Sequence, residues 1–250
     1  MSDLARNSML YLDDVNVAFD GFKAINGLSL TLSKGEMRAI IGPIGAGITT
    51  MRYIITFKTR PDTGDVIFNE TVDLTRHDEA DIARMGIGRK FQKPTVFETH
   101  TVADNLLLSL AGKRSVLETL LARPESREAV RIDELLQIIR LADRRNDLAA
   151  DLSHGQKQWL EIGMLLAQDP KVLLVDEPAA GMTDAETMQT AELLEEIAGD
   201  HTVMVVEHDM DFIKHLGVKV TVLHEGSVLA EGSFEQVSTD ARVIETYLGR

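Results

Sequence analysis

The stretch Ile41 to Thr50, IGPIGAGITT, decides how the rest of the chain is read. It follows the phosphate-loop pattern G-x-x-x-x-G-K-[ST], a glycine-rich turn closed by a lysine and a hydroxyl residue. Gly42, Gly45, Gly47, Thr49 and Thr50 stand where such a loop needs them, but Ile48 holds the lysine position. Two readings are open for the loop alone: a nucleotide site lacking its cation, or a structural turn. Its flanks bear on the choice. MRAIIG before it is a short apolar run suited to a strand, and TTMRYIITF after it is suited to a helix. Strand, glycine loop and helix is the order a phosphate loop requires.

Composition narrows the rest. With 250 residues and 44% apolar content the chain can bury a sizeable core in one domain or two small ones. Cysteine is absent, which excludes disulfides and thiolate metal sites. The opening MSDLARNSMLYLDD lacks the apolar core of a signal peptide, and no apolar run reaches the roughly 18 residues of a membrane span. We therefore expect a soluble chain that can dock on a membrane protein. A net charge of −14 argues against nucleic-acid binding, because no cation surplus is available to displace counterions. It does not exclude ATP, which a local nest of backbone N–H groups can hold whatever the global charge.

Along the chain, LYLDDVNVAF, LSLTL and MRAIIG read as strands separated by the turn signals DG and KG. In SREAVRIDELLQIIRLADRRNDLA, Ile132, Leu135, Leu136 and Ile139 recur at helical spacing with charges opposite. Ser153 followed by Gln156 is a capping-box pairing that opens a further helix. KVLLVDEP and TVMVVEHD are apolar runs ending in acids, as in buried parallel strands with functional groups at their carboxyl ends. DAETMQTAELLEEIAGD between them reads as a crossover helix stopped by Gly199. One compact α/β unit with a helical insertion accounts for this order.

Chemistry concentrates at the strand ends. An aspartate such as Asp176 can hold Mg²⁺ through a water, and the adjoining Glu177 can polarise an attacking water. His208 follows the other strand, where an imidazole can reach a γ-phosphate. Gln92, in FQKP, is a neutral amide able to orient water or meet a metal. Each alone has a plain structural reading, as a solvated acid pair, a structural histidine or a surface glutamine.

Their order and spacing are what is specific. Glycine loop, Gln92, LSHGQ, LLVDEP, Asp184 and His208 resemble the ATP-binding-cassette (ABC) ATPases over nearly the whole chain from Leu10. LSHGQKQWLEIGMLL resembles the family's LSGGQ signature. GIGRKFQKPTVFETHTVADNLLLSL, DEPAAGMTDAET and VVEHDM look most like the cassettes of branched-chain amino acid and urea importers, and RKFQKPTVFE with VIETYLGR favours the urea type.

The resemblance implies a single domain over 1–250: a P-loop NTPase core with a mainly parallel sheet, an N-terminal antiparallel β region and a helical subdomain at about 93–165. It implies ATP with Mg²⁺, a second cassette in a head-to-tail dimer, permease subunits, indirectly a solute-binding protein, and a cytoplasmic location on the inner membrane face. Gly42, Pro43, Ile44, Gly45, Ala46, Gly47, Ile48, Thr49 and Thr50 would wrap the phosphates, and Phe19 would stack on adenine. Thr49, Gln92 and Asp176 would serve Mg²⁺, Glu177 would be the general base and His208 the γ-phosphate contact. Ser153, Gly155 and Gln156 would meet the partner's nucleotide from a helix N-terminus, and Asp184 would couple the two sites.

The pattern is broken in places. Ile48 removes a charge-assisted hydrogen bond of roughly 1.5–3 kcal/mol. His154 replaces the first glycine of the signature pair, Ile44 a polar loop residue, and Phe57 and Glu70 stand at expected turn glycines. Two classes follow: an importer motor that hydrolyses ATP, or a cassette-shaped binding subunit with little turnover.

Overall fold

The computed structural model describes residues 7–90, 95–110 and 126–248. Gln92 lies outside them, as does part of the segment expected to be the helical insertion. Strands β1 (Ser8–Phe19) and β2 (Phe22–Ser33) form a hairpin over Asp20 and Gly21, whose φ angles of 48° and 86° are those of a two-residue turn matched to strand twist. β4 (Thr63–Phe68) and β5 (Val72–Asp73) complete an antiparallel sheet of order β2-β1-β4-β5.

The second sheet holds the chemistry. Its strands are β3 (Met37–Ile41), β6 (Ile87–Arg89), β7 (Val172–Asp176), β8 (Thr202–Val206), β9 (Lys219–His224) and β10 (Ser227–Gly232), in the order β10-β9-β3-β8-β7-β6. Five run parallel, and β10 pairs antiparallel on the edge. β7 and β8 are buried at every position, as their unbroken apolar runs require. The period of two sorts their faces. Val172, Leu174, Met204 and Val206 join a core with α1 (Ile48–Ile55) and the antiparallel sheet. Leu173, Val175, Val203 and Val205 join a second core on the other side.

That second core is built by helices. Between β6 and β7 come α3 (Val102–Ser109), α4 (Ser126–Ile138) and α5 (His154–Leu166), after a short α2 (Glu79–Arg84) that precedes β6. Val102 and Leu106 of α3, Leu135 and Leu136 of α4, and Trp159, Leu160 and Ile162 of α5 pack with α6 (Asp184–Ile197). The Trp159 indole donates to Thr190 Oγ1 at 2.8 Å, tying α5 to α6. The crossover helix ends at Ile197 with Ala198 as its C-cap, and Gly199, at φ 97°, stands just past that end as expected and turns the chain into β8. A third cluster joins β9 to α7 (Met210–Leu216), α8 (Phe234–Thr239) and α9 (Ala241–Leu248).

Candidate functional site

The glycine loop connects β3 to α1, so the phosphate-loop context is present. Gly42 is required by proximity: a Cβ there would meet the Leu223 carbonyl oxygen at 2.5 Å. Gly47 caps α1 at φ 97° with no side chain satisfying the helix N-terminus, which leaves first-turn N–H groups to an anion. The Ala46 carbonyl accepts from Gly226 N at 3.0 Å, which pins the loop to the turn after β9. Ile44 is fully exposed. Ile48 borders the cleft yet is only 8% exposed, packed with Ala46 and Leu223. The apolar group expected beside a polyanion is therefore largely withdrawn beneath the loop.

A cleft of about 340 Å³ opens over the loop, lined by residues 42–50 with Arg52, Asp176, Glu177 and His208. The sheet explains the convergence. β7 and β8 are neighbours in parallel register, so Asp176-Glu177 and Glu207-His208 emerge side by side. Glu177 Oε1 lies 3.2 Å from His208 Nε2, which brings the expected base and phosphate contact together. Glu177 holds φ 45°, an uncommon conformation for a side-chain-bearing residue and one that concentrates at functional positions. A wider cleft of about 800 Å³ on the other side of Glu177 and His208 is lined by Asp184, Asp209, Asp211 and His215.

Other expected residues stand apart from the loop. Ser153 caps α5: it accepts from Gln156 N at 3.2 Å, and the Gln156 side chain accepts from Ser153 N at 3.0 Å. The Ser153 hydroxyl donates to Glu186 Oε1 at 2.8 Å, and a Cβ on Gly155 would press on that carboxylate at 2.7 Å. Donation from the Thr183 backbone and from Ser153 holds Glu186 below the usual carboxylate range. The His154 ring turns back along its own helix, its Nε2 2.9 Å from the Gln158 amide nitrogen, which in turn donates to the Ala180 carbonyl. Asp184 is exposed at the start of α6. Phe19 is exposed at the hairpin end, paired with Phe22, and it is Phe22 that lines the cleft.

Three residues were missed by sequence reasoning. Glu207 is buried and accepts from Ala179 N, His208 N and Asp209 N at 3.0, 2.7 and 3.2 Å, fixing the segments after both strands. Lys90 lies fully buried 3.7 Å from Glu161, with Glu207 and Glu177 also in its field; burial pulls its ammonium below the ordinary range. Arg52 is 7% exposed and ion-pairs with Asp176 through Nη1. Its Nη2 donates to Thr49 Oγ1 at 3.3 Å. Burial, with Arg89 nearby, brings its pKa down to about 10, which still leaves it a cation. A charge among Ile48, Met51, Ile54 and Ile55 on a buried helix face was the available signal.

Arg52 occupies the residues expected to hold the metal. Thr49 and Asp176, the described residues expected to serve Mg²⁺, are both in contact with its guanidinium. A dication about 4 Å from a buried monocation is repelled by roughly 8 kcal/mol at an effective dielectric of about 20, which offsets its attraction to the Asp176 carboxylate. As arranged, Thr49 and Asp176 are both engaged by Arg52 and do not fit Mg²⁺ while it stays in place; Gln92 lies outside the described residues.

Comparison with known proteins agrees with this geometry. Residues 25–180 match the ABC transporter family, and residues 227–250 match the branched-chain amino acid ATP-binding cassette transporter family. The high-affinity branched-chain amino acid transport ATP-binding protein LivG of Salmonella typhimurium is 34% identical over 254 residues, covering 96% of this chain and 98% of that protein. The solved ADP conformation of MJ1267, an ATP-binding cassette of an ABC transporter, is similar at a TM-score of 0.83 and 30% identity, over 97% of this chain and 99% of that one. A dimeric post-hydrolysis structure of the cassette MJ0796, bound to ADP and Pi, is similar at a TM-score of 0.71 and 25% identity, over 90% and 99%. The two-sheet fold, the loop beneath its cleft and the sequence itself converge, and the chain belongs to the ABC transporter ATPase family.

Proposed function

We propose that this chain is the nucleotide-binding subunit of an importer of the branched-chain amino acid type, and that it turns ATP over slowly. The observation that carries the reading is the meeting of Glu177 and His208 at 3.2 Å over a glycine loop whose lysine position is a buried isoleucine. Residues 42–50 hold the phosphates through backbone N–H groups, with the aromatic Phe22 at the cleft wall and Phe19 beside it on the hairpin. Glu177 draws a proton from the attacking water, and His208 contacts the γ-phosphate. Ile48 supplies no donor as transition-state charge develops, so hydrolysis suffers more than binding.

The names of the relatives support branched-chain amino acids over urea, which leaves the urea reading without independent support. A second cassette completes each site. Ser153, Gly155 and Gln156 at the start of α5, with Asp184 at the start of α6, meet its nucleotide, as the dimeric relative suggests. The helices α3 and α4, which lie between Gln92 and Ser153, give a docking surface for permease subunits, and a solute-binding protein acts through them. No helix among the described residues is long and apolar enough to cross a membrane, so attachment to the inner face is through the permease.

The test is reconstitution with the permease and binding protein, measuring labelled ATP binding, hydrolysis, and uptake of labelled leucine and urea. We expect ATP binding and slow hydrolysis by the unaltered chain, and leucine uptake once Ile48→Lys and His154→Gly are introduced. Urea uptake without leucine uptake would overturn the solute assignment. Rapid hydrolysis by the unaltered chain would overturn the role given to Ile48.

A further inference from the structure

Resting on the reading of the cleft as a nucleotide site, we propose that it takes ATP without a divalent metal, the guanidinium of Arg52 being the cation that meets the phosphates. Arg52 lies one helical turn after Ile48, so the two share a face of α1 at the mouth of the loop. Where the loop lacks a cation at 48, the helix supplies one at 52. Its side chain is more than nine-tenths buried yet lines the cleft.

An apolar side chain would have suited the packing of α1 at this position, because its buried neighbours are Ile48, Met51, Ile54 and Ile55. Burying an arginine is unfavourable unless its donors are used. Thr49 takes one donor; Nη1 is ion-paired with Asp176, and neither it nor Nε has a hydrogen-bond partner among the described residues. A guanidinium offers five donors in a planar fork that matches phosphate oxygens. Asp176 holds that fork at the end of β7 beside the loop, and a polyphosphate entering the cleft meets it together with the N–H groups at the α1 N-terminus. The same ion pair that removes Asp176 from a metal's reach positions the replacement cation.

The test uses the full chain and a fluorescent ATP analogue labelled on the ribose, titrated in chelator and again with millimolar Mg²⁺. Affinity should agree within about two-fold between the two conditions. Arg52→Met should lose about ten-fold or more in chelator and acquire a dependence on Mg²⁺, since Asp176 is then released. Arg52→Lys, which keeps the charge but loses the fork, should lose about three- to ten-fold in chelator and stay indifferent to Mg²⁺. Circular dichroism establishes that each variant is folded; if Arg52→Met is not, the Mg²⁺ titration and Arg52→Lys still decide. A ten-fold gain in affinity on adding Mg²⁺ to the unaltered chain overturns the proposal and leaves the nucleotide site standing. Arg52→Met binding as tightly as the unaltered chain in chelator also overturns it. Absence of binding in both conditions overturns the nucleotide site, and the proposal with it.

Discussion

β7 and β8 lie side by side with Asp176 opposite Val206, and each delivers a buried carboxylate followed by a more exposed polar residue. The two carboxylates are satisfied differently. Glu207 accepts from three backbone N–H groups, whereas Asp176 faces the guanidinium of Arg52. A carboxylate held by backbone donors is part of the scaffold, and its partners cannot be exchanged for a ligand. One held by a side chain is a site whose occupant is set by a single residue. The outer residues, Glu177 and His208, then meet because their strands are neighbours. Similar strand ends thus perform opposite tasks, and the difference lies in which element approaches each from below.

The largest effect should come from breaking the Asp176 side of this comparison. Arg52→Met leaves a buried carboxylate without its counter-charge and should cost about 3–5 kcal/mol in urea unfolding. Arg52→Met with Asp176→Leu removes both charges and should recover most of that loss. Additive losses in the double variant would show that the pair is not coupled. On the other side, Glu207→Ala orphans N–H groups at Ala179, His208 and Asp209. It should cost about 3 kcal/mol, somewhat less because water can reach the loop side. It should also loosen the Glu177–His208 pairing, seen as faster amide exchange at residues 177–180 and 207–209.

Much of this arrangement was legible beforehand. The apolar runs ending at Asp176 and Glu207, the capping box of Ser153 with Gln156 and the glycine loop are local signals, and each kept its meaning in three dimensions. Arg52 was not legible as a site residue. Its helix was evident, but its partner lies more than a hundred residues away on β7, and only the sheet order brings them together. Glu207 was visible as a strand end, but its three acceptor contacts depend on how the segments after β7 and β8 fold back. The sequence resemblance puts Phe19 at adenine, yet hairpin register sets Phe22 opposite it and places Phe22 on the cleft wall. Glu70 and Phe57, read as residues at glycine positions, hold φ of 69° and 58°, so that expectation was physical as well as comparative.

A catalytic prediction sharpens the contrast between an intact scaffold and a missing cation. Ile48→Lys with His154→Gly, in the assembled transporter, should raise hydrolysis roughly ten- to a hundred-fold, the rate equivalent of one recovered charge-assisted hydrogen bond. The His154 ring turns along its own helix toward Gln158, so His154→Gly alone should contribute little of that gain. A rise as large from His154→Gly alone would mean that obstruction at the signature, and not the lost lysine, limits turnover.

The smallest effect separates two of the left-handed side-chain positions, Phe57 and Glu70. Both should release about 1–2 kcal/mol of steric strain on conversion to glycine. Both also lose about 0.4–1 kcal/mol because glycine gains freedom in the unfolded chain. Beyond that they diverge. Phe57 packs partly against the main core and carries Arg60 over its ring, so Phe57→Gly removes apolar burial and should lower stability by about 1 kcal/mol. Glu70 contributes only an exposed ion pair with Lys34, which is worth little in water and less when screened. Glu70→Gly should therefore be close to neutral at low ionic strength and stabilising by about 0.5 kcal/mol in high salt, where the pair no longer offsets the relief of strain. Urea melts of both variants at two salt concentrations measure this directly. A Glu70→Gly variant that loses stability in high salt would show that the turn after β4 tolerates a left-handed glutamate without strain.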